Sequence, residues 1–98
     1  MLLQDKIAVV TGASRGIGRA TAKALAREGA VVIVNYNGSK ERADEVVSEI
    51  EKDGGKAKAI QCNVSDFEQA KEFFGGVVKE YGRIDILVNN AGITRDNL

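Results

Sequence analysis

Apolar residues are concentrated in four short runs along the chain, at residues 7–10, 31–34, 57–62 and 84–88. The first, second and fourth runs are almost continuously apolar, which is typical of β-strands that are covered on both faces. In the third run Lys56, Lys58 and Gln61 alternate with apolar residues, and this pattern suits a strand at the edge of a sheet.

Between these runs, apolar residues lie three and four positions apart, which predicts helices over residues 16–28, 39–53 and 65–81. A glycine follows each helix, and residues 65–68 form a capping-box pattern at the start of the third. The positions predicted to face the core are Ile17, Ala20, Ala24 and Leu25 in the first helix, Ala43, Val46, Val47 and Ile50 in the second, and Phe67, Ala70, Phe74, Val77, Val78 and Tyr81 in the third.

The predicted order is β-α-β-α-β-α-β, without a linker or a second domain. Because crossovers between parallel strands are right-handed, we expect a Rossmann-type α/β fold, one half of a doubly wound parallel sheet with the strand order 3-2-1-4. Gly75 and Gly76 fall inside the third helix, where two glycines cost about 1.5–2 kcal/mol relative to alanine. Either the helix bends there or another element packs very close to it.

Composition excludes several classes of function. The 98 residues include 14 basic and 14 acidic side chains, one cysteine and no histidine, so a histidine base and a histidine-ligated metal are excluded. Cys62 is predicted to be a core residue rather than a nucleophile. Balanced charge argues against a nucleic-acid partner. No run is long enough to cross a membrane, and the first residues lack a signal-peptide pattern, so we expect a cytoplasmic protein.

A glycine-rich segment, Thr11-Gly12-Ala13-Ser14-Arg15-Gly16-Ile17-Gly18, joins the first predicted strand to the first helix. Gly12 permits a tight turn out of the strand, Gly16 leaves room for a phosphate, and Gly18 lets the helix pack against the sheet. The amino end of the helix favours an anion through its N–H groups and its dipole. The context of strand, loop and helix is what makes this segment a candidate phosphate site.

Residues 11–18 resemble the cofactor loop of the short-chain dehydrogenases/reductases. A second match, Asn89-Asn90-Ala91-Gly92, follows the fourth predicted strand and is similar to another signature of that family. The continuation, residues 93–98, resembles the bacterial 3-oxoacyl-acyl-carrier-protein reductases. Acetoacetyl-CoA reductases and sugar dehydrogenases are close alternatives. The resemblance covers the whole chain but only an amino-terminal part of such an enzyme.

The resemblance implies a nicotinamide cofactor, and the charges favour NADP(H). An NAD enzyme places a carboxylate at the end of the second strand, but residues 35–39, which begin with Asn35, contain no acid. Arg15 adds a cation that pairs with a 2′-phosphate. Ser39 is either a phosphate ligand or the N-cap of the second helix. Within the glycine-rich segment we expect Gly12, Ser14, Arg15, Gly16, Ile17 and Gly18 to bind the cofactor. We also expect Asn35, at the end of the second strand, to contact it.

Two further segments are expected to contact the cofactor on the strength of the resemblance. Asn63 and Val64 stand where related enzymes have an aspartate and an apolar residue beside the adenine, and the amide oxygen of Asn63 still accepts a hydrogen bond. Asn89, Ala91 and Gly92 are expected at the nicotinamide end. Asn89 either contacts the cofactor or fixes the backbone of its loop.

No catalytic residue is assigned. Related enzymes reduce a ketone with a serine, an asparagine and a Tyr-x-x-x-Lys pair that lie beyond the fourth strand. Tyr36 and Lys40 match that spacing, but Gly38 interrupts the segment, which connects the second strand to the second helix, so we reject them as a catalytic pair. Tyr36 is expected near the adenosine end of the cofactor or at the surface. We therefore expect the 98-residue chain alone to be inactive, whether the truncation is natural, deliberate or clerical.

The expected partners are the nucleotide and, by resemblance, an acyl carrier protein that carries the substrate in fatty acid biosynthesis. Full-length members of the family are typically tetramers. We also expect self-association of this chain, because Ile84, Ile86 and Val88 are predicted to lie on an exposed edge strand. The rival hypothesis is a catalytically inert, self-associating structural fragment.

Overall fold

The computed structural model describes residues 1–91, which form a four-stranded parallel sheet with helices on both faces. The strands are β1 (Ile7–Val10), β2 (Val31–Tyr36), β3 (Lys56–Gln61) and β4 (Ile86–Val88), and the helices are α1 (Gly16–Arg27), α2 (Lys40–Lys52) and α3 (Phe67–Tyr81). The order across the sheet is β3-β2-β1-β4. The predicted α/β architecture and strand order are confirmed.

The two faces of β1 explain its uninterrupted apolar sequence. Ala8 and Val10 belong to a core shared with α1 and α2, whereas Ile7 and Val9 belong to a second core shared with α3. All four side chains are buried, so no position of the strand is left for a polar residue. Full burial of a valine or isoleucine contributes about 1.5–3 kcal/mol relative to exposure.

The predicted buried face of α1 is wrong. Its buried residues are Gly18, Ala22 and Ala26, at intervals of four, whereas Ile17 is 71% exposed. Of the other predicted positions, Leu25 is partly buried, and Ala20 and Ala24 are exposed. The three small residues let the helix lie close to the ends of the strands, and this contact sets its rotation about its own axis.

Helix α2 agrees with its predicted pattern. Ala43, Val46 and Ile50 are buried and Val47 is partly buried. The hydroxyl of Ser39 accepts a hydrogen bond from the backbone N–H of Arg42, so Ser39 is the N-cap.

Helix α3 follows its predicted pattern only in part. Phe73 and Val77 are buried, but Phe67 and Val78 are 76% and 45% exposed. The N-cap is Asp66, one residue later than predicted. Phe73 was not among the predicted core positions. The helix is rotated relative to the prediction, so that Phe67 and Val78, at one border of its apolar stripe, remain exposed.

The helix continues through Gly75 and Gly76. A Cβ added at either glycine would meet no atom within 4 Å in the part of the chain that the structure describes. A close approach by another of the described elements is therefore not the reason for the two glycines.

Strand β4 lies at an edge of the sheet, but its exposed side chain is not one of those predicted. Ile84, Ile86 and Val88 are partly buried against the two cores, whereas Leu87 is 52% exposed. The strand begins at Ile86 rather than at residue 84. At the other edge, β2 is the only strand among the described residues with which β3 pairs, as predicted for an edge strand. Within residues 1–91, no helix is both long and apolar enough to cross a membrane.

Candidate functional site

The carboxyl ends of the four strands lie at one edge of the sheet, and a polar or glycine-containing segment follows each of them. These segments are residues 11–15, 37–39, 62–66 and 89–91. In open α/β sheets ligands bind at this edge, where the strand order reverses. In this sheet the chain runs outward from β1 to β2 and β3 and then returns to β4 on the other side of β1. The candidate site therefore lies at the end of β1.

Helix α1 differs from the other two helices at its amino end. Ser39 and Asp66 cap α2 and α3, but no side chain of residues 1–91 caps α1. The first turns of α2 and α3 contain Glu41 and Glu68, whereas the first turn of α1 contains no acid. Within residues 1–91, the backbone N–H groups of residues 16–18 donate no hydrogen bond. The positive end of this helix is thus uncompensated, as an anion site requires.

The space in front of α1 is open. Gly16 has a left-handed backbone with φ at 59°, and a Cβ placed there would meet no atom within 4 Å. Arg15 and Ile17 are exposed, and Ser14 is partly buried. Arg15 therefore adds a full positive charge to the end of a helix that already favours an anion.

Gly18 holds the first turn of α1 against the loops that follow β1 and β4. A Cβ at Gly18 would overlap the carbonyl oxygen of Gly12 and lie 2.7 Å from Nδ2 of Asn90. That same Nδ2 donates a hydrogen bond of 3.1 Å to the Gly12 carbonyl. Gly12 also lies against Ala91, whose Cα would be 3.2 Å from a Cβ at Gly12. The structure therefore brings the two glycine-rich motifs into direct contact.

Thr11 joins the two motifs by hydrogen bonds. Its backbone N–H donates to the carbonyl of Val88, and its hydroxyl lies 3.2 Å from Oδ1 of Asn89. The hydroxyl oxygen accepts from the backbone N–H of Ala91 at 3.0 Å. Thr11 is 1% exposed. The Asn89 side chain thus helps to fix the backbone of its loop, which is one of the two roles considered from the sequence.

Asn35 lies inside the protein, contrary to the expectation that it would contact a cofactor. Its side chain is buried, and Oδ1 accepts from the backbone N–H of Gly12 at 3.2 Å. Nδ2 lies 3.3 and 3.2 Å from the carbonyl oxygens of Ile60 and Cys62. The backbone carbonyl of Asn35 accepts from Ala13 at 2.8 Å. Asn35 therefore holds the glycine-rich segment to the ends of β2 and β3, and both polar atoms of its side chain are engaged in the protein interior.

The amide oxygen of Asn63 is also in use, contrary to its expected role beside an adenine. It accepts from the backbone N–H of Ser65 at 3.1 Å and from the Ser65 hydroxyl at 2.6 Å. Both lone pairs of that oxygen are therefore occupied, and only Nδ2 is left to face a ligand. Val64 is partly buried and packs against the core under α3. Ser65, which the capping-box pattern predicted to cap α3, instead donates its hydrogen bonds to Asn63 in this turn.

The segment after β2 carries no carboxylate. Nε2 of Gln61 lies 3.2 Å from the carbonyl oxygen and 3.3 Å from Oδ1 of Asn37. Tyr36, expected near a ligand or at the surface, is 8% exposed and packs in the core under α1 and α2. Lys40 pairs with Asp44 at 2.7 Å, so Tyr36 and Lys40 form no reactive pair.

Cys62 is buried at the end of β3. Burial raises the pKa of its thiol, and the charges of Asp66 and Glu72 raise it further. A thiol with a raised pKa is a poor nucleophile, which agrees with its prediction as a core residue.

A cavity of about 280 Å³ lies at the opposite, amino-terminal edge of the sheet. The carboxyl ends of α1 and α2 reach it, and its lining includes Lys23, Arg27, Asp53 and Lys56. Its lining carries both positive and negative side chains, and it lies at the opposite edge of the sheet from the glycine-rich segments. The cavity is therefore separate from the candidate site.

The profile of the short chain dehydrogenase family matches residues 6–98. The chain belongs to this family. It is 58% identical over 93 residues to a 3-oxoacyl-[acyl-carrier-protein] reductase of Staphylococcus aureus, covering 95% of this chain and 38% of the relative. A Staphylococcus epidermidis protein of the same name is 55% identical over 94 residues, covering 96% of this chain and 38% of the relative.

A solved structure agrees with this assignment. A metagenomic short-chain oxidoreductase in complex with NADP superposes with a TM-score of 0.90 at 42% identity, covering 95% of this chain and 42% of its own. The chain thus spans about 38% of the length of the Staphylococcus relatives. Gly92 and the signature residues 93–98 lie outside the described part of this short chain dehydrogenase.

Sequence reasoning did not assign Thr11, Asn90 or Gln61 to the site. All three hold its loops rather than face the opening, through the contacts that each makes with a neighbouring strand end. Thr11 and Asn90 lie within the two recognised motifs, and their place in those motifs is the sequence signal that could have identified them. The sequence around Gln61 gives no such signal, because its partner Asn37 is 24 residues away along the chain.

Proposed function

We propose that residues 1–98 form the nucleotide-binding part of an NADPH-dependent reductase. The observation that carries the proposal is the amino end of α1, which has neither a side-chain cap nor an acidic residue and lies beside the exposed Arg15. Such an end binds phosphate through its N–H groups and its dipole. The residues proposed to contact the cofactor are Gly12, Ser14, Arg15, Gly16, Ile17, Gly18, Asn63, Val64, Asn89, Ala91 and Gly92.

The end of β2 favours NADP(H) over NAD(H). A carboxylate there would bond the free 2′-hydroxyl of the ribose and repel a 2′-phosphate. This chain has Asn37, Gly38 and Ser39 instead, and the guanidinium of Arg15 is exposed. The NADP complex of a structural relative supports the same choice.

The bound cofactor would supply a hydride to a ketone. The described residues bind and orient the cofactor: the open N–H groups of residues 16–18 hold phosphate, and Thr11, Asn35 and Asn90 keep the two loops in register. No group among them is assigned to proton transfer. We propose a 3-oxoacyl group on acyl carrier protein as the substrate of the whole enzyme, in fatty acid biosynthesis in the cytoplasm, because the two Staphylococcus relatives bear that name.

The test is a calorimetric titration of the 98-residue chain with NADPH and with NADH. We expect saturable binding with NADPH preferred, and we expect Arg15→Ala to weaken NADPH binding by about tenfold, equivalent to ~1.4 kcal/mol, with little effect on NADH. Arg27→Ala, at the other end of α1, is the matched control and should leave both affinities unchanged. Equal affinity for the two cofactors would contradict the assignment of NADP(H).

A second candidate is a self-associating structural unit. The observation that favours it is the exposed Leu87 on β4, which lies on the same face of the sheet as α3 with its exposed Phe67 and Val78. Within residues 1–91, β4 pairs with β1 alone. An exposed edge of this kind is a template for pairing with another chain. If the self-associated chain bound NADPH with normal affinity, this result would count against a purely structural role.

A further inference from the structure

We propose that Asn37-Gly38 is a site of spontaneous deamidation, and that the carboxylate it creates shifts the cofactor preference from NADPH toward NADH. The second half of this inference rests on the proposed function, whereas the first half does not. Asn37 is the single asparagine of the sequence that is followed by glycine; the other five precede Tyr36, Val64, Asn90, Ala91 and Leu98.

The reaction needs a backbone nitrogen that is free to attack. The deprotonated backbone nitrogen of Gly38 attacks Cγ of Asn37, a C–N bond closes a five-membered succinimide, and the side-chain nitrogen leaves as ammonia. Water then opens the ring and leaves an aspartyl or isoaspartyl residue at position 37. No oxidant or reductant is needed, and asparagine is a recognised thermolabile residue.

The surroundings of Gly38 fit these requirements. Asn37 and Gly38 are exposed and lie outside any helix or strand. Within the described part of the chain, the N–H of Gly38 donates no hydrogen bond. A Cβ added at Gly38 would meet no described atom within 4 Å, so the side-chain position of Gly38 is open.

The other asparagines with described surroundings are protected in different ways. Asn35 is buried and its side chain is hydrogen-bonded. Asn63 is followed by β-branched Val64, whose side chain hinders attack by its backbone nitrogen. Asn89 and Asn90 are held by Thr11 and Gly12. These residues are internal controls in the same molecule.

The position of Asn37 explains why its deamidation would change the cofactor preference. It directly follows β2, at the place where a carboxylate selects a ribose 2′-hydroxyl over a 2′-phosphate. Its Oδ1 lies 3.3 Å from Nε2 of Gln61, at the end of β3, so the side chain lies at the carboxyl edge of the sheet. Conversion adds one negative charge to a chain whose formal net charge is zero. The isoaspartyl form also lengthens the backbone between β2 and α2.

The modification is tested without any cofactor. The chain is incubated in mildly alkaline buffer, and mass mapping of its peptides follows amide loss at each asparagine. We expect conversion at Asn37 to be at least tenfold faster than at Asn35, Asn63, Asn89 and Asn90. Gly38→Ala, which the open space accommodates, should slow the conversion at least tenfold because the methyl group hinders attack. Equal rates at all asparagines would overturn the proposal.

The effect on selectivity is tested with two variants of Asn37. Asn37→Asp introduces the charge, and Asn37→Ser removes the amide without adding one. We expect Asn37→Asp to lower the ratio of NADPH to NADH affinity about tenfold or more and Asn37→Ser to leave it within a factor of about three. Preference for NADPH in the fresh chain with no change in Asn37→Asp would overturn this inference and leave the proposed function standing. Failure of the fresh chain to bind either cofactor would instead count against the proposed function, while the mass mapping still decides the modification site.

Discussion

The side chain of Asn35 connects three segments that are far apart in the sequence. Its oxygen bonds the N–H of Gly12, and its nitrogen faces the carbonyls of Ile60 and Cys62. A buried amide with every polar atom paired stabilises a fold, whereas removal of that amide leaves its partners without hydrogen bonds in a dry interior.

We therefore expect Asn35→Ala to lower the free energy of unfolding by about 2–3 kcal/mol, since it leaves buried backbone groups unpaired. Asn37→Ala, two residues later and exposed, is the matched control and should change the stability by less than about 0.5 kcal/mol. Urea denaturation followed by circular dichroism measures both. A loss no larger for Asn35→Ala than for Asn37→Ala would show that the interior hydrogen bonds are not stabilising.

The sequence indicated which residue types surround the site but not which of their polar atoms are free to bind a ligand. Asn35 and Asn63 both carry amides that suit a nucleotide. Their partners, Gly12, the carbonyls of Ile60 and Cys62, and Ser65, occupy the relevant atoms. Three of those contacts join residues more than 20 positions apart, and no local pattern encodes them.

Among the elements, α3 contains an unused source of stability. Gly75 and Gly76 are exposed in the middle of the helix, and a Cβ at either position meets no described atom within 4 Å. Each glycine costs the helix about 0.8–1.0 kcal/mol relative to alanine through backbone entropy.

Accordingly, the double variant Gly75→Ala, Gly76→Ala should raise the free energy of unfolding by about 1.5–2 kcal/mol. Gly55→Ala is the contrasting control, because its Cβ would lie 2.9 Å from Cγ2 of Ile50 and the neighbour must move. Thermal unfolding should place the double variant above the wild type and Gly55→Ala below it. A destabilised double variant would mean that the two glycines are required for a contact beyond the described residues.

A charge cluster joins α1 to α2. Nη2 of Arg19 contacts both carboxylate oxygens of Glu49, and Nζ of Lys23 lies 3.7 Å from the same carboxylate. The hydrogen bond from Arg19 lowers the pKa of Glu49 below its ordinary value of 4.5. A carboxyl whose folded pKa is lowered contributes stability above its unfolded pKa, and that contribution is lost as the pH falls through the folded pKa.

The stabilising effect of Glu49 should therefore be present at pH 7 and vanish below its lowered pKa. We expect Glu49→Gln to reduce Tm at neutral pH and to have a Tm close to that of the wild type in strong acid. Glu51→Gln, an exposed change on the same helix, should have little effect at either pH. A difference between Glu49→Gln and wild type that persists in acid would indicate packing rather than charge.

Across the whole molecule, the apolar surface is unevenly covered. Leu87 is 52% exposed at the edge strand, and Phe67 and Val78 are exposed on the helix that covers the same face. Burial of such a surface against a second copy is favourable at about 25 cal/mol per Å² of apolar area.

We expect the wild-type chain to show a mass that rises with concentration in sedimentation velocity, and Leu87→Lys to shift it toward the monomer. Leu2→Lys is the control, because Leu2 is 86% exposed but lies outside this face. A wild-type chain that stays monomeric and melts sharply at high concentration would contradict the proposed self-association.

The element order, the parallel sheet with its strand order, and the two motifs at its carboxyl edge could all be predicted from the sequence. These features follow from local period, from the glycines and from the handedness of crossovers, all of which a short window of sequence carries. The buried faces of α1 and α3, in contrast, were set by tertiary contacts. In α1 the close contact at Gly18 turned Ala22 and Ala26 inward in place of Ile17, because backbone approach at one residue rotates the whole helix. The tertiary structure likewise left the amino end of α1 open and occupied the polar atoms of Asn35, since both depend on what lies nearby in space rather than along the chain.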